Sequence, residues 1–181
     1  MAEHPTVNFE TRSGVDVVTL RTAADVYAEI APAFGNTCFA FVAGAPVLEE
    51  VAFADFAAKP TSYGIPILFP FPNRIRDGRF TFRGEAFTVD PPRHGMVRDK
   101  VWRVVDSGAS AGEGAWVRSR FDAADAGDRV LASFPFPFGL EVTYSLRDRT
   151  LAMATTVENT GDRDMPYGFG IHPYFRRPAR G

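Results

Sequence analysis

The chain has 181 residues, of which 45% are hydrophobic and 23% charged, a composition typical of one globular domain with a single core. Its formal net charge is −2 and its Lys and Arg residues are scattered, so no basic patch for nucleic acid or anionic lipid stands out. We therefore expect one domain over residues 1–181, a small neutral ligand, and neither a nucleic-acid nor a membrane partner.

The elements expected from the sequence are short strands. The chain contains 17 Phe, 16 Gly and 14 Pro, and because aromatic side chains favour pleated surfaces that Gly and Pro interrupt, an all-β chain is predicted. The best helix candidate, Ala23–Ile30, is short and is cut by Pro32. In chain order, the predicted strands are Val15–Arg21, Thr37–Ala43, Phe80–Phe82, Phe87–Val89, Val101–Val105, Ala115–Phe121, Leu140–Leu146 and Leu151–Val157.

One hairpin is predicted in detail. Apolar side chains alternate on either side of Arg83-Gly84-Glu85, which predicts a turn there and one buried face. That face contains Phe80, Phe82, Phe87 and Val89. Two stretches rich in small and polar residues, 107–114 and 122–127, are predicted to be surface loops.

The amino terminus and the cysteine content indicate a cytoplasmic protein. Met1–Glu10 lacks the basic start and the apolar stretch of a signal peptide, and the longest apolar run, Ile65–Phe71, is too short to cross a bilayer. Cys38 is the only cysteine, which excludes an intrachain disulfide. We expect its thiol to pack in the core.

Three segments break the regular alternation and set polar groups among Gly, Pro and aromatic residues. They are Pro70–Ile75, Pro92–Asp99 and Gly168–Phe175. Such segments suit loops or strand ends on a rigid scaffold, where an imidazole or a guanidinium faces a ligand while aromatic rings exclude water.

Two histidines in these segments are the candidates for chemistry. His94 and His172 can each carry a proton near neutral pH, although a hydrogen-bonded structural role is the alternative for both. Arg74, next to Asn73, can donate hydrogen bonds to sugar hydroxyls, and its alternative is an ion pair with Asp77.

Other classes of site find no support in the sequence. Arg98 and Asp99 can contact a ligand, but a solvated ion pair between them is favoured. The chain has no Gly-rich phosphate loop, no GxSxG turn and no paired His or Cys spacing for a metal. No carboxylate lies in a setting like those of the two histidines, so a second acid/base group is not assigned.

The three segments resemble the aldose 1-epimerase (galactose mutarotase) family in order and spacing. The resemblance is carried by Asn73–Phe80, by His94–Asp99 with Trp102 behind it, and by Gly170–Phe175, with weaker support from Ile30–Gly35 and Pro135–Phe138. It implies an antiparallel β-sandwich of the galactose mutarotase-like type. It also implies an enzyme that interconverts the α and β anomers of a free aldose by ring opening, without a cofactor or a metal.

The resemblance also implies roles for individual residues. His172 matches the histidine that protonates the ring oxygen while a carboxylate removes the anomeric hydroxyl proton, and His94 would bind and polarise the sugar beside it. His94 and His172 are therefore the predicted catalytic residues, and Arg74 and Asn73 are the predicted substrate-binding residues. The combination of a histidine acid and a carboxylate base suits ring opening, which needs one proton delivered and another removed.

The sequence departs from the family at its end. The family's general base is a glutamate well downstream of the His172 segment, whereas this chain ends at Gly181. We therefore expect a sandwich that is incomplete at the C-terminus, impaired catalysis, and self-association through an exposed sheet edge. Two alternatives are a non-catalytic carbohydrate-binding module and an unstable fragment.

A hexose-6-phosphate epimerase relative is a further alternative. Such relatives share a His-Gly segment followed by a nearby arginine, here Arg98. However, Tyr63 stands where they carry an arginine before Gly-Gly-Ile-Pro, which weakens a phosphate clamp. A neutral aldose is therefore favoured.

Overall fold

The computed structural model describes residues 4–177, and its main feature is a pair of antiparallel four-stranded sheets. The first sheet has the order β1-β2-β3-β4, formed by Thr6–Arg12, Val15–Ala23, Val26–Ala31 and Thr37–Ala43. The second has the order β11-β10-β9-β8, where β8 to β11 are Arg103–Ser110, Gly114–Asp122, Phe138–Arg147 and Thr150–Asn159. These antiparallel sheets confirm the predicted all-β class.

Smaller elements join and flank the two sheets. Two short antiparallel pairs are formed by β5 (Ile67–Leu68) with β12 (Gly170–Ile171), and by β6 (Arg79–Phe82) with β7 (Glu85–Thr88). The helices are α1 (Phe53–Ala58) and α2 (Asp128–Ser133), and 3₁₀ turns lie at Pro60–Ser62, Arg76–Gly78 and Ala123–Ala126. No helix among residues 4–177 is long and apolar enough to cross a membrane.

The core lies between the two large sheets, where β2 packs against β9 and β10. On β10 the alternate residues Leu140, Val142, Tyr144 and Leu146 are fully buried, as the strand period requires. The Tyr144 hydroxyl donates a hydrogen bond to the Asn36 carbonyl at 3.1 Å, which ties the second sheet to the turn before β4. Burial raises the pKa of Tyr144 well above its usual value, so this phenol remains a neutral donor.

The predicted hairpin is confirmed, with a tighter turn than expected. Phe80 and Phe87 lie opposite each other, with ring centroids 5.1 Å apart, and the turn is Arg83-Gly84 alone because Glu85 already belongs to β7. Both turn residues have positive φ, as a two-residue hairpin connection with the right twist demands.

The secondary structure differs from the sequence-based expectations in two segments. The helix candidate Ala23–Ile30 falls largely on β3, where Val26, Ala28 and Ile30 are buried at strand spacing and the strand pairs on both sides. Alternating burial between two neighbouring strands outweighs a short run of helix-compatible residues. The predicted loop 107–114 is strand as far as Ser110.

Cys38 lies in the core as predicted, as a free thiol with no exposed surface. Burial, together with the nearby Glu29 carboxylate, raises the pKa of Cys38 to about 12. Its thiol donates to the Ala40 carbonyl at 3.3 Å. Cys38 is therefore a packing residue, not a nucleophile.

Candidate active site

His172 is positioned by a short strand pair. β12 runs antiparallel to β5, with Ile171 opposite Ile67, and the His172 amide then donates to the Pro66 carbonyl at 3.0 Å. Position 170, two residues before His172, requires glycine because a Cβ there would lie 2.6 Å from Cβ of Pro72. The strand pair thus fixes the backbone of His172, an exposed residue directly after β12.

The His94 segment is held by backbone hydrogen bonds to residues 69–73, which follow β5 in the chain. Its amide donates to the Asn73 carbonyl at 3.0 Å, and the Met96 amide donates to the Phe69 carbonyl at 2.7 Å. His94 and Gly95 have φ of 63° and 70°, and a Cβ on Gly95 would lie 2.0 Å from the Phe69 oxygen. Only glycine fits at 95, so the His-Gly pair in the sequence reflects this close backbone approach.

The orientation of the His94 ring is set by one hydrogen bond. Its Nδ1 lies 3.1 Å from the Pro72 carbonyl oxygen. Because a carbonyl can only accept, Nδ1 carries the hydrogen, which leaves Nε2 as the ring nitrogen available to a ligand.

The two imidazoles meet in one cavity. Their ring centroids are 5.7 Å apart with planes at 72°, and the His172 ring also packs on Tyr174, with centroids 5.0 Å apart. The cavity has a volume of about 230 Å³, below the ~300–1,000 Å³ typical of sites for drug-sized ligands. It is lined by Thr61, Ser62, Pro66, Leu68, Arg93, His94, Arg98, His172 and Tyr174.

The two predicted substrate-binding residues lie beside this cavity, not among its lining residues. The Asn73 backbone holds His94, and its side-chain oxygen accepts from the Arg74 amide at 2.8 Å. Arg74 is exposed and forms an isolated antiparallel bridge with Arg93, which does line the cavity. The structure thus brings His94 and His172 together in one cavity, whereas Asn73 and Arg74 lie in the neighbouring backbone segment and do not line it.

Four lining residues were missed or misjudged from the sequence. Thr61 and Ser62 belong to a 3₁₀ turn, and nothing in their local sequence distinguishes them from other surface hydroxyls. The favoured ion pair between Arg98 and Asp99 is absent among the described residues, because the Asp99 carboxylate pairs with Lys100 at 3.3 Å. Arg98 lines the cavity instead, as does Arg93.

Among the side chains that the structure describes, no group of three or more His, Cys, Asp or Glu is arranged to hold a metal ion. The described side chains also contribute no carboxylate to the cavity lining. The groups available for chemistry are therefore two imidazoles, two guanidiniums, two aliphatic hydroxyls and a phenol.

Two antiparallel sheets with a histidine pair beside them define a β-sandwich of the galactose mutarotase-like type. A galactose mutarotase-like protein of Clostridium acetobutylicum superposes with a TM-score of 0.83 at 25% identity, over 95% of this chain and 54% of that one. A second such protein, from Lactobacillus casei, gives 0.72 at 23% identity over 91% and 51% of the two chains. The family model of the aldose 1-epimerases matches residues 7–180, and the chain belongs to this family.

Among curated proteins, the Escherichia coli K12 protein YihR, described as uncharacterized, is 29% identical over 116 residues. That match spans 60% of this chain and 34% of YihR. The chain spans about half the length of the solved structures it matches.

Proposed function

We propose that this chain carries the proton-donating half of a mutarotase site, which interconverts the α and β anomers of a free aldose. The observation that supports this most directly is the pairing of His94 with His172, whose ring centroids lie 5.7 Å apart, in one cavity of about 230 Å³. The family membership of the chain supports the same assignment.

In the proposed reaction, His172 gives a proton to the ring oxygen of the sugar while a base takes the proton of the anomeric hydroxyl. The bond between C1 and the ring oxygen breaks, and an aldehyde forms at C1. After rotation about the C1–C2 bond, the ring oxygen attacks the other face of C1 and both protons return. One acid and one base thus serve both directions.

The proposed role of His94 is to bind and polarise the sugar through Nε2, since its Nδ1 is engaged by the Pro72 carbonyl. Arg74 and Asn73, which lie in the backbone segment beside the cavity, are proposed to bind sugar hydroxyls. The buried free thiol of Cys38 suits a reducing compartment, and we propose a cytoplasmic location.

The base of this reaction is proposed to lie outside the described residues, because no carboxylate among them lines the cavity. One positioned acid or base contributes about 10²- to 10⁴-fold, so we propose that the chain by itself is an impaired catalyst. The same observation favours a second candidate, a non-catalytic carbohydrate-binding module.

Polarimetry of freshly dissolved α-D-glucose and α-D-galactose tests these proposals. We expect the chain to accelerate mutarotation weakly and added formate or acetate to raise the rate by replacing the base. His172→Ala should abolish the acceleration and its rescue while sugar binding, followed by saturation-transfer NMR, persists. His4→Ala, a matched exposed histidine, should change neither.

The outcomes separate the candidates. An unchanged kcat with a raised KM in His172→Ala would assign this histidine to binding. Sugar binding without any acceleration, even with added carboxylate, would establish the binding module. No sugar binding at all would refute both candidates.

A further inference from the structure

The segment that carries His172 runs antiparallel to the residues before β5, and this pairing gives the cavity a direction. The His172 amide donates to the Pro66 carbonyl at 3.0 Å, and the Tyr174 amide donates to the Gly64 carbonyl at 2.9 Å. His172 therefore lies opposite Pro66, and Tyr174 lies opposite Gly64. Because an extended chain rises by about 3.3 Å per residue, Tyr174 lies about 7 Å further along the cavity wall than His172.

Two hydroxyl side chains follow on the partner segment. Thr61 and Ser62 belong to a 3₁₀ turn that comes just before Gly64 in the chain, and both line the cavity. Since the two segments are antiparallel, the turn lies beyond Tyr174, on the side away from His172. The cavity therefore has the proposed acid toward one end and two aliphatic hydroxyls toward the other.

The position of this turn is fixed by backbone hydrogen bonds. The Ser62 amide donates to the Lys59 carbonyl at 3.0 Å, and the Ile65 amide donates to the Cys38 carbonyl of β4 at 2.9 Å. A hydroxyl has one hydrogen to donate and two lone pairs to accept with, so Thr61 and Ser62 can each donate to a ligand and accept from it. A fixed backbone thus presents two adjustable polar groups to the occupant of the cavity.

The proposed function determines which part of a sugar these hydroxyls meet. In the proposed reaction His172 protonates the ring oxygen and the base acts on the hydroxyl at C1, so this edge of the pyranose faces the histidines. The opposite edge of the ring contains C3 and C4. Their two hydroxyls are neighbouring donors and acceptors, which two neighbouring side-chain hydroxyls can match.

We infer that Thr61 and Ser62 determine sugar specificity by binding the hydroxyls at C3 and C4 of the aldose. This inference rests on the proposed function, and it adds contacts at the edge of the ring that is remote from the reacting atoms. These contacts select the sugar and take no part in proton transfer. Loss of one hydrogen bond between neutral groups should weaken binding about two- to tenfold.

NMR titration with five sugars tests the inference: D-glucose and its 2-deoxy, 3-deoxy, 4-deoxy and 6-deoxy analogues. We expect the wild-type chain to bind the 3-deoxy or the 4-deoxy sugar about two- to tenfold more weakly than D-glucose. The analogue with the larger loss identifies the hydroxyl that is held more firmly. The 2-deoxy and 6-deoxy sugars report on hydroxyls outside the C3–C4 edge.

Variants assign the effect to the two side chains. Thr61→Val and Ser62→Ala remove the hydroxyls with little change in shape, and in the double variant removal of the C3 or C4 hydroxyl should cost no further affinity. Any weakening with the 2-deoxy and 6-deoxy sugars should be the same as in the wild type. Thr61→Ser keeps a hydroxyl and should keep the preference. Thr81→Val, at an exposed threonine on β6 outside the cavity lining, is the matched control.

The outcomes separate this inference from the proposed function. Equal binding of D-glucose and both the 3-deoxy and 4-deoxy sugars by the wild type overturns the inference and leaves the proposed function standing. A preference for these hydroxyls that survives in the double variant also overturns it, and the two single variants provide the same comparison if the double variant does not fold. Failure of every sugar to bind overturns both.

Discussion

The rings of His172 and Tyr174 pack together, with centroids 5.0 Å apart and planes at 35°. Among the described residues, neither side chain forms a hydrogen bond, so packing orients the His172 ring between Tyr174 and the edge-on ring of His94. Aromatic pairs of this kind contribute about 0.5–1.5 kcal/mol beyond the burial of their area. We therefore expect Tyr174 to act as a positioning residue for the proposed acid.

Tyr174→Ala should lower the carboxylate-rescued mutarotation rate about tenfold, which corresponds to ~1.4 kcal/mol. It should also shift the Cε1 proton resonance of His172, because the ring current of Tyr174 is lost. Tyr174→Phe keeps the ring and should match the wild type in both measurements. Equal loss in the Phe and Ala variants would show that the hydroxyl, not the ring, matters.

Gly95→Ala should destabilise the fold more than Gly84→Ala. Both glycines have positive φ, 70° and 84°, so both changes cost ~1–2 kcal/mol of backbone strain. A Cβ at Gly84 meets nothing within 4 Å, whereas one at Gly95 would lie 2.0 Å from the Phe69 oxygen. Urea unfolding measures the difference, and equal losses would exclude the close approach at Gly95.

Cys38 should resist alkylation in the native protein. Its pKa is raised to about 12, so at pH 8 the native thiol is protonated, whereas an exposed thiol is partly ionised. Iodoacetamide at pH 8 should modify the native chain on the order of 1,000-fold more slowly than the urea-unfolded chain. Mass spectrometry follows the reaction, and rapid modification of the native chain would contradict the burial of this thiol.

Strand β11 is an edge of the second sheet, and we expect it to promote self-association. Charged side chains and prolines commonly protect a sheet edge, and residues 150–157 contain neither. Ala154→Lys should therefore reduce the average mass measured by light scattering at high protein concentration. Thr88→Lys, at an exposed site on β7, is the matched control. A monodisperse wild-type monomer would contradict the expectation.

Most of the strands could be predicted from the sequence because their signal is local. The alternation of Leu140, Val142, Tyr144 and Leu146 on β10 needs only the strand period and one buried face. β1 was missed because it lies at a sheet edge with most of its residues exposed, so no such alternation marks it. β3 was not among the predicted strands because its pairing on both sides is a long-range property.

The sequence by itself determined the candidate histidines and the motifs that surround them, because glycine, proline and imidazole have properties that hold in any fold. Only the tertiary structure decided what lies next to each histidine. Arg93 and Arg98 join the cavity because the backbones of Phe69 and Asn73 hold the His94 segment there. Which groups surround a charged side chain depends on residues distant in sequence, so the sequence alone could not show that Arg93 and Arg98 line the cavity.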